Sequence, residues 1–337
     1  MLLSLADRLA GSLLGQALGD ALGFVVEGAP PEQAAAYVDR WLREGRAPAR
    51  GRDPFPFGQY SDDTQLAREL LLIFRHAGRF DPALFAARIA GLFRRGADVG
   101  AGPGTRAAAQ RLLLGTPWSE AATPSPYAGN GAAMRAGPLG LLARDHAELT
   151  RWALAQSRVT HADPLCGAGA VAVAGAVVLG SRAAPIERAA FVIELADLVA
   201  PVDGSLGAAV RELSVWGGFE PGAALTELHR RRLDPGAAPH WRGITGHVGP
   251  SVLWSLYAFL RTPDDYLESV ATAIAAGGDT DTTGAMTGAM SGARLGAPGL
   301  PADLLARVTD RGEWGEAALA GLGRDCAERL GLANGAG

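Results

Sequence analysis

The segment GGDTDTTGAMTGAMSGARLG, residues 277–296, contains a double glycine, two aspartates separated by one threonine, and a glycine at every fourth position from Gly284 to Gly296. A double glycine favours the end of one helix, and an Asp/Thr cluster favours the start of another. We therefore predict one helix over 266–276 and a second, small and apolar, over 285–295.

Glycines recur with the same spacing near the start of the chain, at Gly11, Gly15, Gly19 and Gly23. This spacing places them on one face of a helix. Each glycine costs a helix about 1 kcal/mol relative to alanine, so a compensating contact is expected. Apart from coincidence in a glycine-rich chain, the explanation is close approach of another backbone. We predict that one or both glycine-striped helices lie at the centre of the fold.

Helical periodicity continues along the chain, and no convincing run of alternating strand residues interrupts it. We predict an all-α fold with a single compact multi-helix domain over 1–330, and a disordered tail over 331–337. The predicted helices, besides those above, span 2–24, 32–44, 65–76, 82–95, 104–114, 134–142, 146–157, 164–179, 185–198, 207–215, 223–230, 249–260, 304–308, 314–322 and 326–330.

Two acidic clusters precede helical patterns. Helix capping accounts for one Asp or Thr at such a position. It does not account for both Asp279 and Asp281, whose charges repel unless a cation lies between them. A second cluster, Ser61-Asp62-Asp63, stands far upstream. These side chains offer only hard oxygen ligands, which favours Mg²⁺, Mn²⁺ or Ca²⁺ over zinc. Four carboxylates meeting in space would favour two divalent ions over one.

Six sequence blocks, taken together and in order, resemble the ADP-ribosylglycohydrolase family, which includes ADP-ribosylarginine and ADP-ribosylserine hydrolases. Each block alone is a modest indication, but together they cover nearly the whole chain. The blocks are GQALGDALG at 15–23 followed by Glu27, SDDT at 61–64, DVG at 98–100, GNGAAMR at 129–135, Thr160-His161, and GGDTDT at 277–282.

The resemblance implies a fold and a metal site. It implies the family's all-α domain and two divalent cations, Mg²⁺ or Mn²⁺, which hold the distal ribose of ADP-ribose. The metal ligands implied are Ser61, Asp62, Asp63, Asp279, Asp281 and Thr282. It also implies that Glu27 handles protons, with Asp62 and Asp281 as further catalytic residues. Glu27 follows an apolar run in which burial would raise its pKa, although a surface glutamate at a helix end is the alternative.

The resemblance also implies a substrate-binding set. Gly100 and Gly102 belong to a glycine-rich loop before a helix, which can cradle a diphosphate with backbone N–H groups. Asp98 is expected near the leaving side chain, and His161 near the diphosphate. The loop with Gly129, Asn130, Gly131 and Met134 is expected to contact the phosphates or the distal ribose. Taken locally, Asn130 is equally consistent with a structural turn, and His161 and Asp20 with structural roles.

Composition excludes several other classes. All 31 basic residues are arginine, so lysine-dependent chemistry is excluded. Two cysteines, Cys166 and Cys326, are too few for a disulfide scaffold, and no signal pattern opens the chain, so we expect a cytoplasmic protein. The apolar run over 165–180 is too short for a membrane span and predicts a buried helix. A net charge of −4 gives no evident nucleic-acid-binding patch, and we expect a monomer.

The leading hypothesis is a hydrolase that removes mono-ADP-ribose from a protein side chain, with arginine preferred. The partner would be an ADP-ribosylated protein or a small molecule containing ADP-ribose. One alternative is a non-catalytic ADP-ribose-binding relative, which would be expected to have eroded acidic clusters. The other is a metal-dependent nucleotide phosphohydrolase, which would not need Glu27 and the Asn130 loop together.

Overall fold

The computed structural model describes residues 3–238, 240–329 and 331. Of the predicted tail over 331–337, only Gly331 lies within the described residues. The helices are α1 (Leu5–Phe24), α2 (Pro31–Tyr37), α3 (Asp62–Ala77), α4 (Pro82–Arg94), α5 (Pro103–Leu113), α6 (Gly137–Gly140), α7 (His146–Ser157), α8 (Pro164–Gly180), α9 (Arg188–Val199), α10 (Gly204–Arg211), α11 (Leu213–Trp216), α12 (Pro221–Arg230), α13 (Val248–Arg261), α14 (Tyr266–Ala275), α15 (Thr280–Leu295), α16 (Ala302–Leu305) and α17 (Glu316–Arg329).

The all-α prediction is confirmed. Helices make up 62% of the structure, and within the described residues only isolated backbone bridges take the place of a sheet. The helices share one hydrophobic core and form a single domain. α8 is buried along nearly its whole length, as its apolar sequence predicts. Among the described residues, no helix has the length and apolar character that crossing a membrane requires.

Helices α1 and α15 form the centre of the fold, and they run antiparallel along their two glycine stripes. A Cβ on Gly15 would lie 2.3 Å from the carbonyl oxygen of Gly288. A Cβ on Gly19 would lie 2.1 Å from that of Gly284. These separations leave no room for a side chain, so the predicted backbone-to-backbone packing is confirmed, with the two striped helices as each other's partners. We call this contact the glycine seam.

Several predicted helix boundaries are wrong: the helix predicted over 207–215 is divided into α10 and α11, and the one predicted over 304–308 overlaps α16 only at its start. The helix predicted over 134–142 is only the short α6, because a turn occupies the preceding residues and Pro138 has no N–H to donate. The two helices predicted over 314–322 and 326–330 form the single helix α17 across the described residues. Gly323 suggests a break, yet it lies inside α17, where a Cβ would come 2.7 Å from the Cα of Ala10. This glycine permits helix packing and does not end a helix.

Candidate functional site

A cavity of about 370 Å³ opens where the C-terminal end of α1 meets the N-terminal ends of α3, α5 and α15. Its size suits a small-molecule ligand. The structure brings most of the predicted site residues to its walls, and the exceptions are Ser61 and Asp98. Those that line it are Glu27, Asp62, Asp63, Gly100, Gly102, Gly129, Asn130, Gly131, Met134, His161, Asp279, Asp281 and Thr282.

Four carboxylates, Asp62, Asp63, Asp279 and Asp281, lie at the bottom of this cavity, and we call them the acidic floor. Ser61 caps α3, because its Oγ accepts a hydrogen bond from the Asp63 N–H at 3.3 Å. Asp279 stands at the N-cap position of α15 but makes no side-chain capping bond. Its Oδ2 instead accepts a hydrogen bond from Asn130 Nδ2 at 2.6 Å. Capping therefore accounts for Ser61 but not for the Asp279 carboxylate.

A left-handed turn at Gly277 and Gly278 sets the position of Asp279. Their φ angles are +70° and +83°, which favour glycine. A Cβ on Gly278 would lie 1.9 Å from the Ile244 carbonyl oxygen. The Ile244 N–H donates to the Gly277 carbonyl at 3.0 Å, and the Asp279 N–H donates to the Ile244 carbonyl at 2.9 Å. The double glycine thus lets the loop around Ile244 lie directly against the start of α15.

Burial and mutual repulsion raise the pKa values of the acidic floor. Burial, followed by the charge of Asp20, raises the pKa of Asp62 to about 8. The same two causes raise the pKa of Asp63 well above its usual range. Burial, followed by the charge of Asp63, does so for Asp281, and burial raises that of Asp279. A cation bound here would relieve this repulsion.

Two buried oxygens of the acidic floor, Asp62 Oδ2 and Asp63 Oδ1, have no hydrogen-bond partner. Buried polar atoms are nearly always paired in proteins, so these two oxygens are available to bind an ion or a ligand. The donor set of carboxylate and hydroxyl oxygens fits a hard divalent cation. Within the described part of the chain, no group of three or more His, Cys, Asp or Glu side chains is arranged as a metal site. Binding a cation would therefore require the carboxylates to turn toward a common point.

Asp20 and Gln16 on α1 position the start of α3. The Asp20 carboxylate accepts hydrogen bonds from the Ser61 N–H at 2.8 Å and from the Thr64 N–H at 3.0 Å. It also accepts one from Thr64 Oγ1 at 2.6 Å. Gln16 Nε2 donates to the carbonyl oxygens of Asp63 and Met134, at 3.0 and 3.1 Å. Asp20, whose role was open from the sequence, thus supports the acidic floor from behind. Burial raises its pKa to about 6.

Glu27 lies at the mouth of the cavity, in the turn after α1, and its side chain is 28% exposed. The predicted burial is therefore only partial, because α1 ends at Phe24. The carboxylate forms an ion pair with Arg52, whose side chain is 41% exposed. The Arg52 guanidinium also lies 5.1 Å from the centre of the Phe24 ring. The mouth thus combines a carboxylate and an aromatic face around one guanidinium.

Ser61 and Asp98 lie just behind the cavity wall. Ser61 Oγ donates to Asp63 Oδ2 at 3.0 Å, so its hydroxyl already serves an acidic-floor residue. The Asp98 carboxylate lies 3.9 Å from Arg106 Nη2, and its charge is one of those that raise the pKa of Asp62. Asp98 does not line the cavity itself, and its position beside a leaving group stays a prediction.

The part of the wall formed by Asn130, Gly104 and His161 is neutral and largely hydrogen-bonded. Asn130 donates from its N–H to the Gly246 carbonyl at 3.0 Å and from Nδ2 to Ser251 Oγ at 3.2 Å. The Gly104 N–H, near the start of α5, donates to Tyr127 Oη at 3.2 Å. His161 lies between these loops, and burial, followed by the charge of Arg135, lowers its pKa to about 3. His161 is therefore neutral at physiological pH.

Sequence reasoning missed part of this wall. The missed lining residues include Tyr127, Trp241, Ile244, Thr245 and Gly246. The last three lie near the end of the connection between α12 and α13, close to two glycines, Gly243 and Gly246. That loop composition was the available indication, but nothing local shows that the loop pairs with Gly277 and Gly278.

Comparisons with known proteins agree with this geometry. The model of a family described as ADP-ribosylglycohydrolase matches residues 1–333. The chain is 28% identical over 258 residues to the ADP-ribosyl-[dinitrogen reductase] glycohydrolase of Rhodospirillum rubrum, covering 74% of each protein. It is 28% identical over 231 residues to an uncharacterized protein of Archaeoglobus fulgidus, covering 68% of this chain and 69% of that protein. A solved structure titled ADP-ribosylglycohydrolase-related protein complex is similar with a TM-score of 0.68 and 27% identity, covering 97% of this chain and 99% of that one.

Proposed function

Because the chain belongs to the ADP-ribosylglycohydrolase family, we propose that it hydrolyses the bond between mono-ADP-ribose and a protein side chain, with arginine as the preferred leaving group. Membership of this family supports the hydrolysis of ADP-ribose glycosidic bonds as the activity. The observation that carries the proposal is the acidic floor, four carboxylates from two distant segments that face one ligand-sized cavity. All four carboxylates are present, whereas a non-catalytic relative would be expected to have lost some of them.

The proposed cofactors are two divalent cations, Mg²⁺ or Mn²⁺. The family is generally metal-dependent. The residues that would hold the cations are the acidic floor together with Ser61 and Thr282. The unpartnered oxygens of Asp62 and Asp63, and the raised pKa values of all four carboxylates, support this assignment. When bound, divalent cations supply electrostatic stabilisation and orientation of hydroxyl and water oxygens.

The chain's own residues provide the remaining functions. Glycosidic cleavage passes through an oxocarbenium-like state, in which one carboxyl group transfers protons. We assign that transfer to the Glu27 carboxylate, because it is the lining carboxylate outside the acidic floor. Asp62 and Asp281 contribute negative charge beside the developing cation. Gly100, Gly102, Asn130 and His161 offer hydrogen-bond donors and close backbone approach for the rest of the ligand.

The mouth of the cavity supports arginine as the leaving group. Glu27 and the Phe24 ring already contact a guanidinium, that of Arg52. A guanidinium is recognised by a carboxylate and by an aromatic face, and this spot offers both. Exposed ion pairs contribute only about 0–1 kcal/mol, so a substrate guanidinium can displace Arg52 at little cost.

The test is a substrate panel. The protein would be incubated with ADP-ribosyl-arginine, ADP-ribosyl-serine and a nucleoside triphosphate, in the presence of Mg²⁺ or Mn²⁺, and the products identified by mass spectrometry. We expect free ADP-ribose and arginine as the fastest products. Release of phosphate from the nucleotide alone would favour a phosphohydrolase, and binding without any product would favour a non-catalytic relative.

Metal dependence is the second part of this test. Because every proposed ligand is a hard oxygen, activity is expected to require added Mg²⁺ or Mn²⁺ and to survive a zinc-selective chelator. Full activity in metal-free buffer would rule out the proposed cations.

A further inference from the structure

Arg135 is a fully buried cation without an ion-pair partner among the described residues. Its Nε donates to Gln156 Oε1 at 2.6 Å, and its Nη2 donates to the Gln156 carbonyl at 3.0 Å. The guanidinium carbon lies 5.0 Å from the centre of the Phe85 ring. Burial lowers the pKa of Arg135 to about 9, so the side chain remains charged at neutral pH. Burying a charge without an ion-pair partner is unfavourable, so a role that compensates for this cost is expected.

A hydrogen-bonded chain leads from Arg135 to the cavity. Arg135 Nη2 donates to Thr160 Oγ1 at 2.7 Å, and Thr160 Oγ1 lies 2.8 Å from His161 Nδ1. Thr160 is fully buried, and these are its side-chain hydrogen bonds in the described structure. The chain therefore joins a buried cation to a residue that lines the candidate site.

The donors and acceptors in this series of hydrogen bonds determine the tautomer of His161. Arginine only donates, so Thr160 Oγ1 accepts from Arg135 and keeps its own hydrogen to donate. The acceptor within reach is His161 Nδ1, which must then carry no proton. If Nδ1 were protonated, the buried Thr160 hydroxyl would have no acceptor, and an unpaired buried hydroxyl is unfavourable. A neutral imidazole with an unprotonated Nδ1 carries its proton on Nε2.

The Nε2 edge of His161 borders the cavity. A Cβ on Gly104 would lie 2.8 Å from Nε2, and a Cβ on Gly131 would lie 2.7 Å from the adjacent Cε1. Both glycines line the cavity, so the ring edge borders it. No hydrogen bond to Nε2 is present among the described residues. This nitrogen is thus a donor that lacks an acceptor.

We propose that Arg135 and Thr160 are positioning residues that hold His161 as the Nε2–H tautomer, so that His161 donates a hydrogen bond to an anionic oxygen of the bound ligand. This inference rests on the proposed function for the identity of that ligand, whose phosphates supply such oxygens. A donor whose tautomer is fixed beforehand loses little free energy on binding. The nearby Arg135 charge adds a positive potential without itself entering the cavity.

The first measurement needs no ligand. In protein labelled with ¹⁵N-histidine, protonated and unprotonated ring nitrogens resonate in separate regions, and His161→Gln identifies the His161 signals. We expect the wild-type protein to show only Nε2–H, Thr160→Ser to keep it, and Thr160→Val to give a mixture of tautomers. An Nδ1–H form in the wild type, or an unchanged Nε2–H form in Thr160→Val, would overturn the assignment.

The second measurement is the affinity for ADP-ribose by calorimetry. Thr160→Val should weaken binding by about 2- to 10-fold, the effect of one hydrogen bond, while Thr160→Ser retains wild-type affinity. Thr272→Val is the matched control, because Thr272 is buried on α14 and its Oγ1 bonds to Glu268, outside the cavity. Unchanged affinity in a Thr160→Val protein with altered tautomers would refute the donor role. If the wild type fails to bind ADP-ribose, the proposed function fails, and the tautomer measurement still decides the role of Thr160.

Discussion

Helices α1 and α15 meet in two very different ways. Along their length they form the glycine seam, in which a Cβ on Gly11 would lie 2.3 Å from the Gly292 carbonyl oxygen. Beyond Gly23, where α15 begins, the same pair opens into the acidic floor, where Asp62 Oδ2 and Asp63 Oδ1 lack partners. The seam is completed by atoms of the chain itself. The acidic floor is not, because its charges repel and two of its buried oxygens remain unpaired.

This difference separates what stabilises the fold from what we propose binds the ligand. The seam should respond to changes of volume and be indifferent to metal ions. The acidic floor should respond to changes of charge and to divalent cations, and tolerate changes of volume better. Substitutions in the two regions can therefore be told apart by which measurement they affect.

The largest expected effect is the loss of turnover in Asp62→Ala and Asp281→Ala. Each removes a proposed cation ligand and a charge beside the reacting bond, so hydrolysis of ADP-ribosyl-arginine should become undetectable. Helical circular dichroism and most of the thermal stability should remain, because neither carboxylate is needed to complete the glycine seam. Unfolding of either variant would instead identify that aspartate as a structural cap.

The next effect concerns Glu27, which lies outside both regions. Glu27→Gln keeps the size of the side chain but removes its ability to transfer a proton. Turnover should fall by roughly 10²- to 10⁴-fold. Affinity for ADP-ribose, measured by calorimetry, should hardly change, because the acidic floor is intact. Near-normal turnover would indicate that an acidic-floor carboxylate transfers the proton. Loss of both binding and rate would indicate that Glu27 positions the ligand.

The seam and the acidic floor also differ in how far the sequence predicts them. Apart from coincidence, four-residue glycine spacing has one good physical explanation, so the pattern favours close packing at Gly15 and Gly19, although it does not identify the partner helix. The acidic clusters indicate hard-oxygen ligands, but residues 61–63 and 279–281 are far apart in sequence. Only the resemblance to a family brought them together before the structure did.

The remaining parts of the site depend on tertiary contacts that no local pattern encodes. Ile244 reaches the start of α15 because Gly277 and Gly278 leave room for its backbone. The sequence of neither segment, taken alone, indicates this contact. Glu27 is less buried than its apolar surroundings suggest, because α1 ends before it. Arg135 was visible in the sequence, yet its burial and its bond to Thr160 appear only when α7 packs against the Asn130 loop.

The third prediction concerns a substitution that disrupts the glycine seam. Gly15→Ala should lower the free energy of unfolding by about 1–3 kcal/mol or more, because its Cβ must displace the backbone of α15. Gly321→Ala is the matched control, since Gly321 lies within α17 and a Cβ there meets nothing within 4 Å. The control should be stabilised by roughly 0.5–1 kcal/mol. Equal destabilisation of both variants in chemical denaturation would show that close packing is not the cause.

The fourth prediction concerns pH in metal-free buffer. The pKa of Asp62 is about 8 in the folded protein, against roughly 3.9 for an unfolded aspartate. The native state therefore holds a proton that the unfolded state releases, and stability should fall as pH rises from about 4 to about 8. Asp62→Asn should flatten this fall, whereas Asp303→Asn, which removes an exposed aspartate, should not.

Divalent cations should oppose the same fall in stability. A cation at 100 times its dissociation constant would add about 2.7 kcal/mol to the wild-type protein. Melting temperatures from pH 5 to pH 8, with EDTA and with Mn²⁺, measure both effects. A wild-type stability that is independent of pH and of Mn²⁺ would contradict a cation-binding acidic floor.

The smallest expected effect is a gain of activity in Arg52→Ala. Arg52 occupies the carboxylate and the aromatic face that a substrate guanidinium would use. An exposed ion pair contributes at most about 1 kcal/mol, so removing Arg52 should lower the KM for ADP-ribosyl-arginine by up to about fivefold. Arg50→Ala removes the same charge two residues away, where the described structure has no ion pair, and should leave KM unchanged. The gain should be smaller for ADP-ribosyl-serine, which carries no guanidinium. An equal gain for both substrates would mean that Arg52 only restricts access to the cavity, and a loss for ADP-ribosyl-arginine would mean that Arg52 orients Glu27.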